Sequence, residues 1–132
     1  ELQKNFKPET IKKLLRKHSN LYFDLAAGGP NRKYKCSGKN NNETLIGDTI
    51  FWVGKPGNQK NKLKKEWKKI LVEFSDRFVF ATDYGGGRKP LSDHLTKKVN
   101  VFNDVIKDLP EEAKHNIAYK NAWYLITGTK WN

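Results

Sequence analysis

The sequence RFVFATDYGGGR, residues Arg77–Arg88, organises the chain and indicates its fold. Its apolar run Phe78–Ala81 shows no alternation, which is typical of a strand buried on both faces of a parallel sheet. Asp83 follows just after this run and precedes three glycines, where the backbone can turn sharply. An acid at this end of a parallel strand lies where α/β proteins keep their chemistry. Asp83 is therefore either a functional carboxylate or a turn residue that caps the next loop.

Two earlier patterns place this strand in a strand–helix–strand unit. Leu21–Ala26 alternates as a strand does, and Leu63–Phe74 carries an apolar stripe at helical spacing. This order predicts two parallel strands. Loops that follow parallel strands share one sheet edge, so we expect the long loop, residues 27–61, to face Asp83–Arg88. A loop of this length is usually functional or disordered, and within it Thr49–Val53 is either a short strand or a buried anchor.

Three further helices are expected. Pro8–Lys17 begins with a proline and an acid and carries an apolar stripe. Pro90 opens a second helix whose stripe runs to Ile106. Asp108 is predicted to cap a last helix, whose apolar face reaches Leu125 and which ends at Thr127-Gly128.

Length and composition predict one segment, residues 1–132, with a modest core. The net charge of +12 points either to a polyanion such as nucleic acid or to a solvated lysine-rich surface. The basic residues are 22 Lys and 4 Arg, which favours the solvated surface, because phosphate recognition prefers Arg. The single Cys36 excludes an internal disulfide and a Cys-rich zinc site. No membrane span or targeting segment is recognisable, and a cytoplasmic location is favoured.

The standard catalytic signatures are missing from the sequence. The three histidines are scattered and form no metal-binding pair. The glycine run lacks the spacing of a phosphate-binding loop, and no nucleophile elbow occurs. Gly85–Gly87 with Arg88 is either a backbone nest for an anion or a plain flexible turn.

Four segments together resemble the carboxyl-terminal end of the amidohydrolase superfamily, in its branch of TIM-barrel metal-dependent hydrolases. NLYFDL is similar to the seventh barrel strand, and LKKEW followed by Ile70-Leu71 to the helix after it. DRFVFATD resembles the eighth strand, which usually ends Gly-Ser/Thr-Asp, and LPEEA with the later IAY and NA resembles the closing helix. The likeness covers most of the chain, from residue 20 onward. Ala81 stands where the family usually has Gly, which adds a methyl group near the site.

The resemblance implies an α/β fold: the C-terminal βαβ-plus-helices portion of a (β/α)8 barrel, incomplete as given. It implies that Asp83 binds a divalent metal, zinc or manganese, or acts as general base, on a small-molecule substrate. The family takes its other ligands from earlier strands, and two strands cannot close an eight-stranded barrel. The sequence also has no Met. We therefore expect an N-terminal portion of the same protein or assembly as partner, and an isolated chain without hydrolytic activity.

Two other interpretations remain open. The charge, with aromatic residues such as Trp52 and Trp131, also fits a small basic nucleic-acid-binding or nuclease-like module. The chain is alternatively a structural remnant that has kept part of the fold and lost the site.

Overall fold

The computed structural model of the chain describes residues 8–25, 51–52, 62–82 and 91–132. The fold is mixed α/β and mostly helical. The elements are, in chain order, α1 (Pro8–Lys17), β1 (Phe23–Asp24), β2 (Phe51–Trp52), β3 (Lys62–Leu63), α2 (Lys65–Glu73), a 3₁₀ turn (Ser75–Arg77), β4 (Phe78–Val79), α3 (Leu91–Ile106) and a C-terminal helix built from α4 (Glu111–His115), a π-helical turn (Asn116–Lys120) and α5 (Asn121–Thr127).

The predicted strand–helix–strand unit is present, with parallel strands. β1 pairs with β4, with Phe23 opposite Phe78 and Asp24 opposite Val79. The pairing continues one residue further, because the Leu25 N–H donates to the Val79 carbonyl at 2.8 Å. Both strands are shorter than the apolar runs that predicted them. The sequence pattern thus indicated the strands and their direction, and overestimated their length.

The helix between the strands begins two residues later than predicted. Leu63 belongs to β3, which pairs antiparallel with β2 so that Leu63 lies opposite Phe51. Of the two alternatives left open for Thr49–Val53, a short strand or a buried anchor, the short strand is present at Phe51–Trp52. α2 then buries Trp67, together with Ile70 and Leu71, as its apolar stripe requires.

One hydrophobic core joins the helices to the parallel strands. α1 contributes two buried side chains from one face, and α3 and the C-terminal helix close the other side. Burying this apolar surface provides most of the free energy that holds the short strands in place. The buried core residues are Ile11, Leu15, Leu25, Trp67, Ile70, Leu71, Phe78, Phe102, Val105, Ile106, Leu109, Ala113 and Ile117.

Ion pairs on the surface join α1 to α2. Glu73 accepts hydrogen bonds from Lys12 Nζ at 2.5 Å and from Arg16 Nη2 at 2.9 Å. The bond from Lys12, followed by that from Arg16, lowers the pKa of the Glu73 carboxyl, although partial desolvation opposes this. Arg16 is well exposed and Lys12 and Glu73 are partly exposed, so these ion pairs contribute little to stability.

The C-terminal helix differs from its prediction in how it begins and in how far its apolar face extends. Pro110 occupies the N-cap position and no side chain caps the helix, so the prediction that Asp108 caps it is wrong. A proline has no N–H and a fixed φ, and it can begin a helix without a side-chain cap. Gly128 ends the helix as predicted, with a left-handed φ of 71°. Leu125 is 49% exposed, so the predicted apolar face does not extend that far into the core.

The described residues therefore contain the βαβ unit and the helices, with one parallel strand pair. The (β/α)8 barrel is neither shown nor contradicted by these elements, and it stays a prediction.

Candidate functional site at the carboxyl end of the parallel strands

The parallel pairing brings the carboxyl ends of β1 and β4 to one edge of the sheet. β1 leads into Leu25, which is buried, and β4 continues into Phe80, Ala81 and Thr82, which are half-buried. Asp83 is the next residue along the chain and lies outside the described residues, as do the glycine run and most of the long loop. This is the edge at which α/β proteins place functional groups.

A lysine contributed by α3 reaches this edge. The Lys98 ammonium donates a hydrogen bond to the Thr82 carbonyl, the last described backbone acceptor before Asp83. The Lys98 side chain is half-buried, so its charge is only partly screened by solvent. Sequence reasoning missed Lys98, although it lies three residues after Leu95 and four before Phe102, on their stripe.

Phenylalanine side chains pack around the two strands at this edge. The rings of Phe80 and Phe102 stack with their centroids 3.9 Å apart and their planes 27° apart. Phe23 and Phe78 face each other across the strand pair at 6.1 Å. This packing holds Phe80, the residue after β4, against α3.

Arg77 ties the start of β4 to the segment that leads into β1. Its guanidinium donates to the His18 carbonyl at 3.1 and 3.3 Å and to the Leu21 carbonyl at 3.5 Å. The guanidinium carbon also lies 5.5 Å from the centroid of the Tyr22 ring. Arg77 therefore aligns the two parallel strands at their amino ends.

The C-terminal helix holds β4 from its other side. Asn121 is 8% exposed, and its side-chain amide donates to the Phe78 carbonyl at 2.8 Å and to the Ser75 carbonyl at 2.7 Å. The Phe80 N–H donates to the Ile117 carbonyl at 2.9 Å. Asn116 adds a bond from its side-chain amide to the Ser75 hydroxyl at 3.2 Å. The sequence pattern that could have predicted this contact is the polar Asn121, which lies one helical turn after Ile117 on an otherwise apolar face.

Of the other titratable groups, Asp24 lies at this edge because it is the last residue of β1, and it is exposed and engaged in an interaction. His18 follows α1, and His115 lies on the C-terminal helix, 3.8 Å from Glu111. Of His94 only the place in α3 is described. Across residues 8–25, 51–52, 62–82 and 91–132, no group of three or more His, Cys, Asp or Glu side chains could hold a metal ion.

A second surface feature is a cluster of exposed aromatic rings near the carboxyl terminus. Trp131 meets Trp123 edge-on at 5.0 Å and Tyr119 edge-on at 5.2 Å. His115 extends the row, 5.6 Å from Tyr119. The neighbouring Ile126 is 84% exposed. We call Tyr119, Trp123 and Trp131 the aromatic cluster.

No family model, curated protein or solved structure matches the chain. Among the described helices none is long and apolar enough to cross a membrane.

Proposed function

We propose that the chain is the C-terminal part of a metal-dependent hydrolase of the amidohydrolase type. The observation that carries the proposal is the parallel β1–β4 pair, joined through α2. In the sequence, Asp83 follows shortly after β4. The edge formed by parallel carboxyl ends is where barrel enzymes collect catalytic groups from several strands. Sequence resemblance to the last two strands of that family supports the same assignment.

Asp83 is the residue to which we assign the chemistry. A carboxylate is a suitable ligand for a hard divalent cation, and it can instead accept a proton from an attacking water. When bound, zinc or manganese would supply Lewis-acid activation of that water. Lys98 bonds to the Thr82 carbonyl, so it brings a positive charge to the residue that precedes Asp83 in the sequence.

Asp83 alone cannot hold a catalytic metal. Catalytic sites use about three protein ligands, and the described residues gather no such set. The remaining ligands and strands would come from an N-terminal portion of the same protein or assembly. A complete barrel of this type needs about 250 residues. We therefore expect the isolated 132-residue chain to show no metal-dependent hydrolysis.

The experiment compares Asp83→Asn with Asp76→Asn in the assembled protein. Asp76 is an exposed acid in the 3₁₀ turn at the amino end of β4, so its loss controls for the removal of one negative charge. We expect Asp83→Asn to lower hydrolysis of a panel of amides, esters and lactones by at least about 100-fold, the scale of losing a general base. Metal content, measured by elemental analysis, separates the two roles, because only loss of a ligand lowers it.

Asp76→Asn should leave hydrolysis and metal content at wild-type levels. Full activity and full metal content in Asp83→Asn would contradict the assignment.

The aromatic cluster favours a second candidate, a basic module that binds single-stranded nucleic acid. Exposed Trp and Tyr rings can stack on bases, and from Lys114 to Asn132 the chain has lysines and no acidic side chain. This candidate predicts oligonucleotide binding that weakens steeply with salt and is lost in Trp131→Ala. Under this candidate Asp83→Asn leaves binding unchanged or stronger. Oligonucleotide binding that does not depend on salt, or no binding at all, would contradict this second candidate.

A further inference from the structure

The outer edge of β4, the side that faces away from β1, bonds to the C-terminal helix and not to another strand. Successive residues of a strand direct their backbone groups to opposite neighbours. Since the Val79 carbonyl accepts from Leu25 of the β1 segment, the backbone groups of Phe78 and Phe80 face away from β1. On that side the Phe78 carbonyl accepts from the Asn121 amide, and the Phe80 N–H donates to the Ile117 carbonyl.

These two bonds have the pattern of a parallel ladder. In such a ladder, the residue opposite Val79 would donate its N–H to the Phe78 carbonyl and accept from the Phe80 N–H. Here the donor is the Asn121 side chain and the acceptor is the Ile117 carbonyl, at 2.8 and 2.9 Å. The helix thus supplies the hydrogen bonds of one residue of a parallel strand.

The π-helical turn makes this possible. In a regular α-helix the Asn121 N–H would bond to the Ile117 carbonyl, four residues earlier. In this turn the Asn121 N–H bonds instead to the Asn116 carbonyl, five residues earlier. The Ile117 carbonyl can therefore accept from β4, while the Ile117 side chain stays fully buried in the core.

We infer that the C-terminal helix caps the outer edge of β4 by imitating one residue of a parallel strand, and that this cap prevents a second copy of the chain from adding a β-strand there. The inference rests on the bonds of Phe78 and Phe80 to the C-terminal helix and not on the chemistry proposed for Asp83. An edge with unmatched donors and acceptors recruits other strands, and proteins commonly protect such edges by covering them. Asn121 is the side chain that keeps this edge covered.

The test opens the edge with Asn121→Leu, which keeps the number and branching of the side-chain heavy atoms and removes the donor to Phe78 and Ser75. The matched control is Asn116→Ala, on the same π-helical turn, which removes only the bond to the Ser75 hydroxyl. The rate of amide hydrogen exchange at Phe80 measures how often its bond to the Ile117 carbonyl opens. Light scattering detects self-association, and infrared spectroscopy detects new β-structure.

We expect Asn121→Leu to increase exchange at Phe80 at least about 10-fold more than at core amides of α2, corresponding to about 1.4 kcal/mol of local opening. We also expect it to self-associate through intermolecular β-structure, while Asn116→Ala keeps the wild-type oligomeric state with Phe80 protected. The inference would be overturned by an Asn121→Leu variant that keeps the wild-type oligomeric state and whose Phe80 exchange changes only in step with the core, and also by equal behaviour of the two variants.

A measurement on the wild-type chain keeps the inference testable if Asn121→Leu does not fold. A scalar coupling across the hydrogen bond between the Phe80 amide nitrogen and the Ile117 carbonyl carbon should be observable by NMR. Its absence in the folded protein would overturn the inference. Neither measurement uses hydrolysis, so this inference and the role of Asp83 can fail independently.

Discussion

Replacing Arg77 with Ala should destabilise the protein by loosening the alignment of the two parallel strands. The guanidinium bonds to the His18 carbonyl at 3.1 and 3.3 Å and reaches the Leu21 carbonyl at 3.5 Å. These bonds are long and partly solvated, so together they contribute about 1.5 kcal/mol, at the low end for charged donors. The contact with the Tyr22 ring, at 5.5 Å, adds about 0.5 kcal/mol. We therefore expect the free energy of unfolding to fall by about 2 kcal/mol.

Urea unfolding followed by tryptophan fluorescence measures this loss. With a slope of about 2 kcal/mol per molar urea, the midpoint should move down by about 1 M. Arg77→Lys should recover less than half of the loss, because an ammonium cannot reproduce the fork of the guanidinium. Arg16→Ala is the charge-matched control, since its side chain is 62% exposed in the pair with Glu73. Its effect should stay below about 1 kcal/mol. A midpoint for Arg77→Ala that coincides with that of Arg16→Ala would refute this reasoning.

Two further predictions concern the hydrophobic core and the dependence of stability on pH below neutrality. Phe78 is 1% exposed in the centre of the parallel pair, so Phe78→Ala should cost about 3–5 kcal/mol. Val72→Ala, on the exposed face of α2, should cost less than about 0.5 kcal/mol, and equal costs by urea unfolding would contradict the core described above. The folded pKa of Glu73 is lowered from its usual 4.5, chiefly by Lys12, so its contribution to stability is present above pH 4.5 and is lost as pH falls through the folded value. In Glu73→Gln the urea midpoint should fall less than in the wild type as the pH is lowered below 4.5. An unchanged dependence of the midpoint on pH would contradict a stabilising role of these ion pairs.

The sequence predicted the parts of the fold that depend on local patterns. The continuous apolar run at Phe78–Ala81 and the alternation at Leu21–Ala26 indicated two strands, and the helical stripe between them implied that the strands are parallel. Trp67 lies on the predicted apolar stripe of Leu63–Phe74 and is buried, as that stripe requires. Strand lengths could not be predicted, because they depend on which backbone groups find partners far away in the chain.

The contacts that shape the candidate site are long-range and polar, and for that reason the sequence did not predict them. Arg77, Lys98 and Asn121 each bond to backbone carbonyls, which every residue carries and no pattern marks. The cap predicted at Asp108 was wrong because Pro110 begins the helix without a side-chain cap. A buried Asn on an apolar helical face is the signal of this kind that a sequence offers, because a buried amide needs hydrogen-bond partners.

The central claim is that the chain works as one part of a larger metal-dependent hydrolase. Mass spectrometry of the native, size-purified protein under native and then denaturing conditions tests it most directly. The account predicts a companion polypeptide or N-terminal portion together with the 15.3 kDa chain, and metal-dependent hydrolysis by the assembly only. A folded 15.3 kDa species alone would contradict it, and so would metal-dependent hydrolysis by that species.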